Sequence, residues 1–253
     1  MLTQERQQTI LELLERKRSV TVGELTGLLG ASEATVRRDL SALAAAGRLQ
    51  KVHGGATTLG SCVAAEEPDV PTKSALHVAE KQAIGAYAAT LIQDDDFVFI
   101  DAGTTTEQLV RHLGPTQAVF VTNGIEHARL LLSRGLRTQL LGGAVKATTQ
   151  AITGSVALEN LGRYNFSKCF MGVNGVDIRR GLTTPDPEEA ALKAAAMERA
   201  YLSFALADAS KFGVITPVTF ASLDRACIIT EAAPAPEFCE QTIIKVVKEG
   251  QGQ

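Results

Sequence analysis

The stretch Ser32-Glu33-Ala34-Thr35-Val36-Arg37-Arg38-Asp39-Leu40 constrains this chain more than any other. Ser32 is suited to cap a helix, because its hydroxyl can accept a bond from an otherwise unpaired amide of the first turn. Val36, Leu40 and Leu43 recur at helical spacing and form an apolar stripe. Glu33, Thr35, Arg37 and Arg38 fall on the opposite face. A short helix with one buried stripe, two adjacent arginines and small hydroxyl side chains near its start suits the major groove of DNA. The same residues also describe a surface helix with a solvated charged face, so the flanks must decide.

Upstream, Thr3 is placed to cap a first helix carrying Ile10, Leu13 and Leu14 on one face. Thr21-Val22-Gly23-Glu24 fits a capping box opening a second helix, with Val22, Leu25, Leu28 and Leu29 facing inward. Gly30-Ala31 makes the tight link that a helix-turn-helix needs. Downstream, Gly47 stands where a helix C-cap belongs. Leu49, Lys51 and Val52 then give an extended run ending in His53-Gly54-Gly55, where two glycines allow a hairpin wing. Lys51 and His53 on such a wing would meet phosphates or the minor groove, although His53 also fits a turn residue bonding its own backbone.

The Thr35-Val36-Arg37-Arg38-Asp39-Leu40 core and the Val52-His53-Gly54-Gly55-Ala56 wing resemble the DNA-binding domain of the DeoR family of bacterial transcriptional regulators, over residues 1–56. The resemblance implies that Arg37 and Arg38 contact phosphate or guanine edges and that Thr35 lies against the groove. Asp39 would orient an arginine rather than touch DNA. Residues 1–56 carry eight Lys and Arg against six Asp and Glu, a net of +2; the remainder nets −5, giving −3 for all 253 residues. The asymmetry has the sign of a DNA-binding head on an acidic body, but it is small. One head would bind weakly, so a homo-oligomer, dimer or tetramer, is expected on a repeated or palindromic double-stranded operator.

The length leaves room for this head and one larger domain. No apolar run reaches the length of a membrane span, and the polar start lacks the hydrophobic region of a signal peptide. A cytoplasmic protein with no membrane partner is expected. Cys62, Cys169, Cys227 and Cys239 are scattered, without a Cys-x-x-Cys pair or histidines at ligand spacing, so they read as reduced thiols and no metal is expected. Residues 57–75, with Gly60, Ser61, Pro68 and Pro71, read as a linker.

From about residue 77 the pattern becomes α/β. A helix over 77–92 leads into the apolar strand Phe97-Val98-Phe99-Ile100, and further strands fall at 118–121, 138–141, 169–173, 203–207 and 226–229. Short apolar strands alternating with helices predict a parallel sheet covered on both faces, with ligands beyond the carboxyl ends of its strands. Asp101-Ala102-Gly103-Thr104-Thr105-Thr106 lies at such an end. Gly103 would let the backbone turn closely around a ligand, the threonines offer hydroxyls, and the helix start offers free amides at its positive pole; together these suit a phosphate monoester. A plain N-cap turn is the alternative. Asn123, Asn174, Asp177, Asp208 and Lys211 stand at or beside other strand ends and would converge on one polyol-binding crevice.

Residues 76–253 also resemble the DeoR effector domain, which is similar in fold to ribose-5-phosphate isomerase and related sugar-phosphate isomerases. The resemblance implies that Asp101, Gly103, Thr104, Thr105 and Thr106 hold the phosphate with help from Lys211. Asn123, Asp177 and residues 185–193, with Glu189 and Lys193, would then meet the sugar, and Asp208 would complete the site. Residues 181–190, 101–106 and 121–124 most resemble the fructose operon repressors of the family, which use a phosphorylated fructose, typically fructose 1-phosphate, as inducer. The rival reading is an active isomerase fused to a DNA-binding head, which needs a carboxylate base. The isomerase register places Lys193 at that base and Asn174 where an Asp usually stands, so no catalytic residue is assigned, although Glu188 and Glu189 lie close enough to substitute. A nucleotide sensor is disfavoured, because neither a dinucleotide glycine fingerprint nor a P-loop is present, and no cofactor is expected.

Overall fold

The computed structural model describes residues 3–17, 19–46, 48–52, 54–58 and 69–247. The chain divides into two compact units, 1–63 and 64–253. Gly47, His53 and Cys62 lie outside the described residues, as does most of the expected linker 57–75. Of that stretch, 70–75 are helical.

The first unit runs α1 (Thr3–Lys17), β1 (Ser19–Thr21), α2 (Val22–Leu29), α3 (Glu33–Ala45), β2 (Gln50–Val52) and β3 (Gly55–Thr57). Thr3 is the first helical residue rather than a cap. The capping box is present: Thr21 Oγ1 accepts from Glu24 N at 3.1 Å, and Glu24 Oε2 accepts from Thr21 N at 3.0 Å. Ile10, Leu14, Val22, Leu25, Val36, Leu40 and Leu43 form the core with Val20, Leu49 and Ala56. Leu28, expected inside, is exposed. The wing is real but larger than the sequence implied, because β1 joins β2 and β3 in an antiparallel sheet of order β1-β3-β2. The two wing glycines have different causes. Gly54 turns the hairpin with φ of 83°, whereas a Cβ on Gly55 would stand 2.0 Å from the Val20 carbonyl oxygen, so only glycine lets β3 lie against β1.

The second unit runs α4 (Val70–Ala75), α5 (Val78–Ala89), β4 (Phe97–Ile100), α6 (Thr104–His112), β5 (Val119–Thr122), α7 (Ile125–Ser133), β6 (Arg137–Leu140), β7 (Ala144–Val145), β8 (Ile152–Thr153), α8 (Ser155–Leu161) and β9 (Phe166–Gly172). It continues through β10 (Gly175–Asp177), β11 (Gly181–Thr184), α9 (Pro187–Glu198), β12 (Ala200–Leu206), β13 (Val218–Ala221), β14 (Cys227–Thr230), α10 (Pro236–Cys239) and β15 (Ile244–Val246). Seven strands form a parallel sheet of order β15-β14-β12-β9-β4-β5-β6. Alternate residues feed opposite faces: Phe99, Cys169, Met171 and Ala205 join one core, and Val98, Ile100, Phe170 and Leu206 join the other. That is why the strands read as unbroken apolar runs. The six expected strands are all present within a few residues. The sequence did not reveal β15, the hairpin of β7 and β8, or the small antiparallel sheet β10-β11-β13.

The strand order fixes where a ligand belongs. From β4 the chain winds outward through β5 and β6, then returns so that β9 pairs with the other side of β4. The switch point therefore lies between the carboxyl ends of β4 and β9, where helices diverge and leave a crevice.

Helix α5 packs closely on α6 through Gly85. A Cβ there would stand 2.6 Å from Gln108 C and Leu109 N. Gly85→Ala should therefore destabilise this unit by about 1–3 kcal/mol through overpacking. All three tyrosines, Tyr87, Tyr164 and Tyr201, belong to the unit, so tyrosine fluorescence during urea unfolding of the full chain reads the change directly.

Candidate functional site

The first unit presents a polar face along α3. Ser32 caps the helix, accepting from Thr35 N at 3.3 Å, and Thr35 is half-buried beside it. Glu33, Arg37 and Arg38 are exposed, with Arg37 Nη2 3.4 Å from Glu33 Oε2. A pair this open leaves the guanidinium available to a stronger anion. Asp39 turns the other way. Its carboxylate is buried and takes both Arg6 Nε, at 2.8 Å, and Arg6 Nη2, at 3.3 Å, so the arginine it orients lies on α1 and the pair clamps α3 in place. From the wing, Lys51 Nζ donates to Ser41 Oγ at 2.9 Å, which sets a basic wing residue beside α3. His53 cannot be placed, lying outside the described residues.

The second unit holds a cavity of about 350 Å³ at the switch point. Its floor is the loop after β4: Ala102, Gly103, Thr104 and Thr105 line it, and Gly172, Val173 and Asn174 close it from the end of β9. No side chain caps α6, so its first-turn amides remain available at the helix's positive end. Glu189 and Lys193 reach it from α9, Lys211 from the segment after β12, and Lys73, His77 and Lys81 from α4 and the start of α5. A smaller recess of about 90 Å³ shares Ala102, Gly103 and Thr104 and is otherwise lined by residues including Glu107, Glu126, His127 and Gln150. Its two carboxylates each hold an arginine, Glu107 with Arg111 at 2.6 Å and Glu126 with Arg129 at 2.5 Å.

Behind the floor, buried groups fix the loop. Asp101 pairs with Lys193, whose Nζ also donates to Gly172 O at 3.0 Å, while Asp101 Oδ2 accepts from Gly172 N at 3.1 Å. Burial raises the Asp101 carboxyl, and the Lys193 ammonium pulls it back toward the carboxylate. Asn123 Oδ1 accepts from Ala102 N at 2.8 Å. Thr106 Oγ1 bonds to Asp101 O at 2.7 Å and Gly103 O at 2.9 Å, and contacts His127 Nε2 at 3.0 Å. Because the threonine proton is committed to a carbonyl, the imidazole donates through Nε2. Burial holds His127 down at about 4, so it is neutral at neutral pH.

Among the residues expected at the site, Gly103, Thr104, Thr105, Glu189, Lys193 and Lys211 line the cavity. Asp101, Thr106 and Asn123 lie behind it as supports. Gly103 has φ of 172°, so its value is space rather than a tight turn: a Cβ would stand 3.2 Å from Thr106 Oγ1. Two of the expected residues are not brought to the cavity. Asp177 is not part of the lining; its Oδ1 accepts from the Arg179 and Arg180 amides, both at 2.9 Å, and builds the turn between β10 and β11. Asp208 is also absent from the lining and is buried behind Ser210 and Lys211. The sequence reading missed Lys73, His77, Lys81, Thr149 and Thr216. Lys81 carried a legible signal, since it stands with Ile84, Gly85 and Ala88 on the buried stripe of α5, where a charge needs a reason.

A winged helix-turn-helix joined to a parallel α/β domain with a cation-lined crevice defines a ligand-sensing DNA-binding regulator. A family model described as DeoR-like helix-turn-helix domain matches residues 6–61, and one described as DeoR C terminal sensor domain matches residues 76–232. The chain is 42% identical over 98% of its length to the whole of an uncharacterized HTH-type transcriptional regulator FruR from Bacillus subtilis (strain 168). It is 32% identical over 95% of its length to 93% of the HTH-type transcriptional repressor GlcR of the same organism. Among solved structures it is similar to ribose 5-phosphate isomerase A from Methanocaldococcus jannaschii, with a TM-score of 0.40, 16% identity, and coverage of 52% of this chain and 53% of that one. The chain belongs to the DeoR family of transcriptional regulators. Its curated relatives are regulators by name, not enzymes, which sets aside the active-isomerase reading. No helix among the described residues is long and apolar enough to cross a membrane.

The buried imidazole makes a pH dependence. His127 is neutral in the fold down to about 4, whereas an unfolded histidine takes its proton near 6.5. Its contribution is thus intact above pH 6.5 and falls by about 3 kcal/mol as the pH drops to about 4, because the unfolded state binds the proton first. Urea unfolding across this window should show a shallower loss in His127→Gln than in the parent protein.

Proposed function

We propose that the protein represses a sugar-catabolism operon in the cytoplasm and leaves its operator when a phosphorylated sugar, best fructose 1-phosphate, enters the sensor cavity. The observation that carries this reading is that Lys73, Lys81, Lys193 and Lys211 line the same cavity as the uncapped start of α6. Backbone amides, threonine hydroxyls and ammonium groups facing one space are what a phosphate monoester requires. The four lysines line the larger cavity and not the smaller recess. The smaller recess has carboxylates already closed by arginines, so it suits the hydroxyls of a sugar better than a second phosphate. The choice of fructose is supported by the resemblance of residues 181–190, 101–106 and 121–124 to the fructose operon repressors.

In the head, Ser32, Glu33, Thr35, Arg37, Arg38, Lys51 and His53 are proposed to form the DNA face, with α3 in the major groove and the wing on the backbone. Two heads of a homo-oligomer would share a palindromic or repeated operator.

Mobility shift on DNA upstream of the gene tests the whole reading. Fructose 1-phosphate should release the protein, while fructose 1,6-bisphosphate and free fructose should act far more weakly; if no sugar phosphate alters the shift, the effector reading fails. Arg37→Ala should weaken DNA binding by about 1–3 kcal/mol, or roughly 5- to 150-fold, and leave sugar-phosphate binding intact. Loss of both together would mark a folding defect.

A further inference from the structure

One wall of the cavity is the segment from Val70 to His77, which includes α4, the first helix of the sensor unit. A buried charge holds it. Lys81 is 5% exposed and reaches back from α5; its Nζ donates to the Lys73 carbonyl and, at 2.8 Å, to the Leu76 carbonyl. Both carbonyls stand at the end of α4, where the helix dipole favours a cation. The residue joining this wall to α5 is His77, with φ of 52°, a left-handed conformation that a histidine adopts at some cost. The wall is therefore held at its far end by the Lys81 side chain, at its start by the Val70 amide on the Thr148 carbonyl at 3.3 Å, and is jointed at a left-handed residue.

A buried carboxylate that acts electrostatically on Lys81 lacks a full set of partners. Asp208 is 1% exposed, and its Oδ1 is taken by the Ser210 amide at 3.1 Å and by the Ser210 hydroxyl. Its Oδ2 has no hydrogen-bond partner among the described residues, a costly condition for a buried carboxylate oxygen. The two groups sense each other. Burial pushes the Lys81 ammonium down, the Asp208 carboxylate pushes it up, and Lys211 and Lys73 push it down again. An anion in the cavity would cancel the repulsion among the three lysines and attract Lys81 inward.

We propose that Lys81 is a two-position coupling residue. In the observed position its ammonium staples the end of α4; in the other it turns to a bound phosphate and to Asp208 Oδ2, and segment 70–77 is released about His77. The ligand then favours the released state because the Lys81–phosphate contact exists there and not in the stapled state, which is the differential affinity any ligand-driven switch needs. Helix α4 follows the stretch leading from the DNA-binding head, so its release is the event the head would receive. This inference rests on the phosphate reading of the cavity. Asp208, which does not line the cavity, acts as a positioning residue.

Hydrogen exchange of the 70–77 amides in the full chain tests it, with inorganic phosphate and fructose 1-phosphate as separate probes and calorimetry to confirm binding. In the parent protein each probe should bind and raise exchange across 70–77 several-fold. In Lys81→Met, exchange should be high without probe and rise no further. In Asp208→Asn the probe should still bind, but the rise should shrink. Binding without any rise in the parent, or a rise in Lys81→Met equal to the parent's, overturns the coupling and leaves the phosphate reading standing. A full rise in Asp208→Asn removes Asp208 from the switch. Failure of the parent protein to bind either probe overturns the phosphate reading and this inference together.

Discussion

Asp101, just beyond β4, and Lys193, on α9, form an ion pair buried where the strand order reverses. Around it the bonds to Gly172 N and Gly172 O bring in the end of β9, so three elements that diverge at the switch point are tied to one pair of charges. Such a pair adds little net stability over apolar packing, but losing one partner strands the other charge at a cost of about 3–5 kcal/mol. Its value here is positional. The loop of Ala102, Gly103 and Thr104 begins one residue beyond Asp101, and the crevice floor can be no better placed than that residue. Asn123, Thr106 and neutral His127 extend the same support by hydrogen bonds to the loop's backbone and to one another.

The pair also decides what the crevice can do chemically. Isomerisation of a sugar phosphate needs a carboxylate within reach of a carbon-bound proton and free to take it. Three carboxylates near this cavity are committed. Asp101 is bound by Lys193 and Gly172 N, while Glu189 accepts from Lys146 at 3.1 Å and Thr149 at 2.8 Å. Glu188 accepts from Thr153 at 2.9 Å. The cavity lining also presents donors: ammonium groups, amides and hydroxyls. A crevice of that kind is better suited to holding an anion than to moving a proton, which agrees with a family of regulators.

The head was legible because its signals are local. Capping at Ser32 and Thr21, the 3.6-residue stripe and the wing glycines each act within a few residues, and each is found in place. The parallel sheet was legible for the same reason, since strands buried on both faces are apolar throughout. Much of the site was not. Lys73, Lys81 and His77 reach the cavity from α4 and the start of α5; the buried stripe of α5 marks Lys81 as unusual but does not say which cavity it meets. Asp177 misled for a related reason: a strand-end aspartate serves a turn and a ligand equally well in sequence, and the Arg179 and Arg180 amides, which decide the matter, have no side-chain signature. Asp39 was read correctly as a partner for an arginine, but that arginine, Arg6, lies 33 positions away.

The electrostatics of the head set how strong the sensor must be. Residues 1–56 net only +2, and one of their arginines, Arg6, is spent on Asp39 within the fold. A head this modestly charged gains less from counterion release than a strongly basic one would. In the proposed homo-oligomer a second head adds affinity through its high effective concentration once the first has docked. Under that arrangement the ligand need not abolish contact by either head. Moving one head out of register forfeits the linked advantage, and a coupling of about 1–3 kcal/mol suffices to change occupancy. A modestly charged head is thus matched to the proposed switch, in which a buried lysine lets go of the end of one short helix: the smaller the contact to be broken, the smaller the displacement that breaks it.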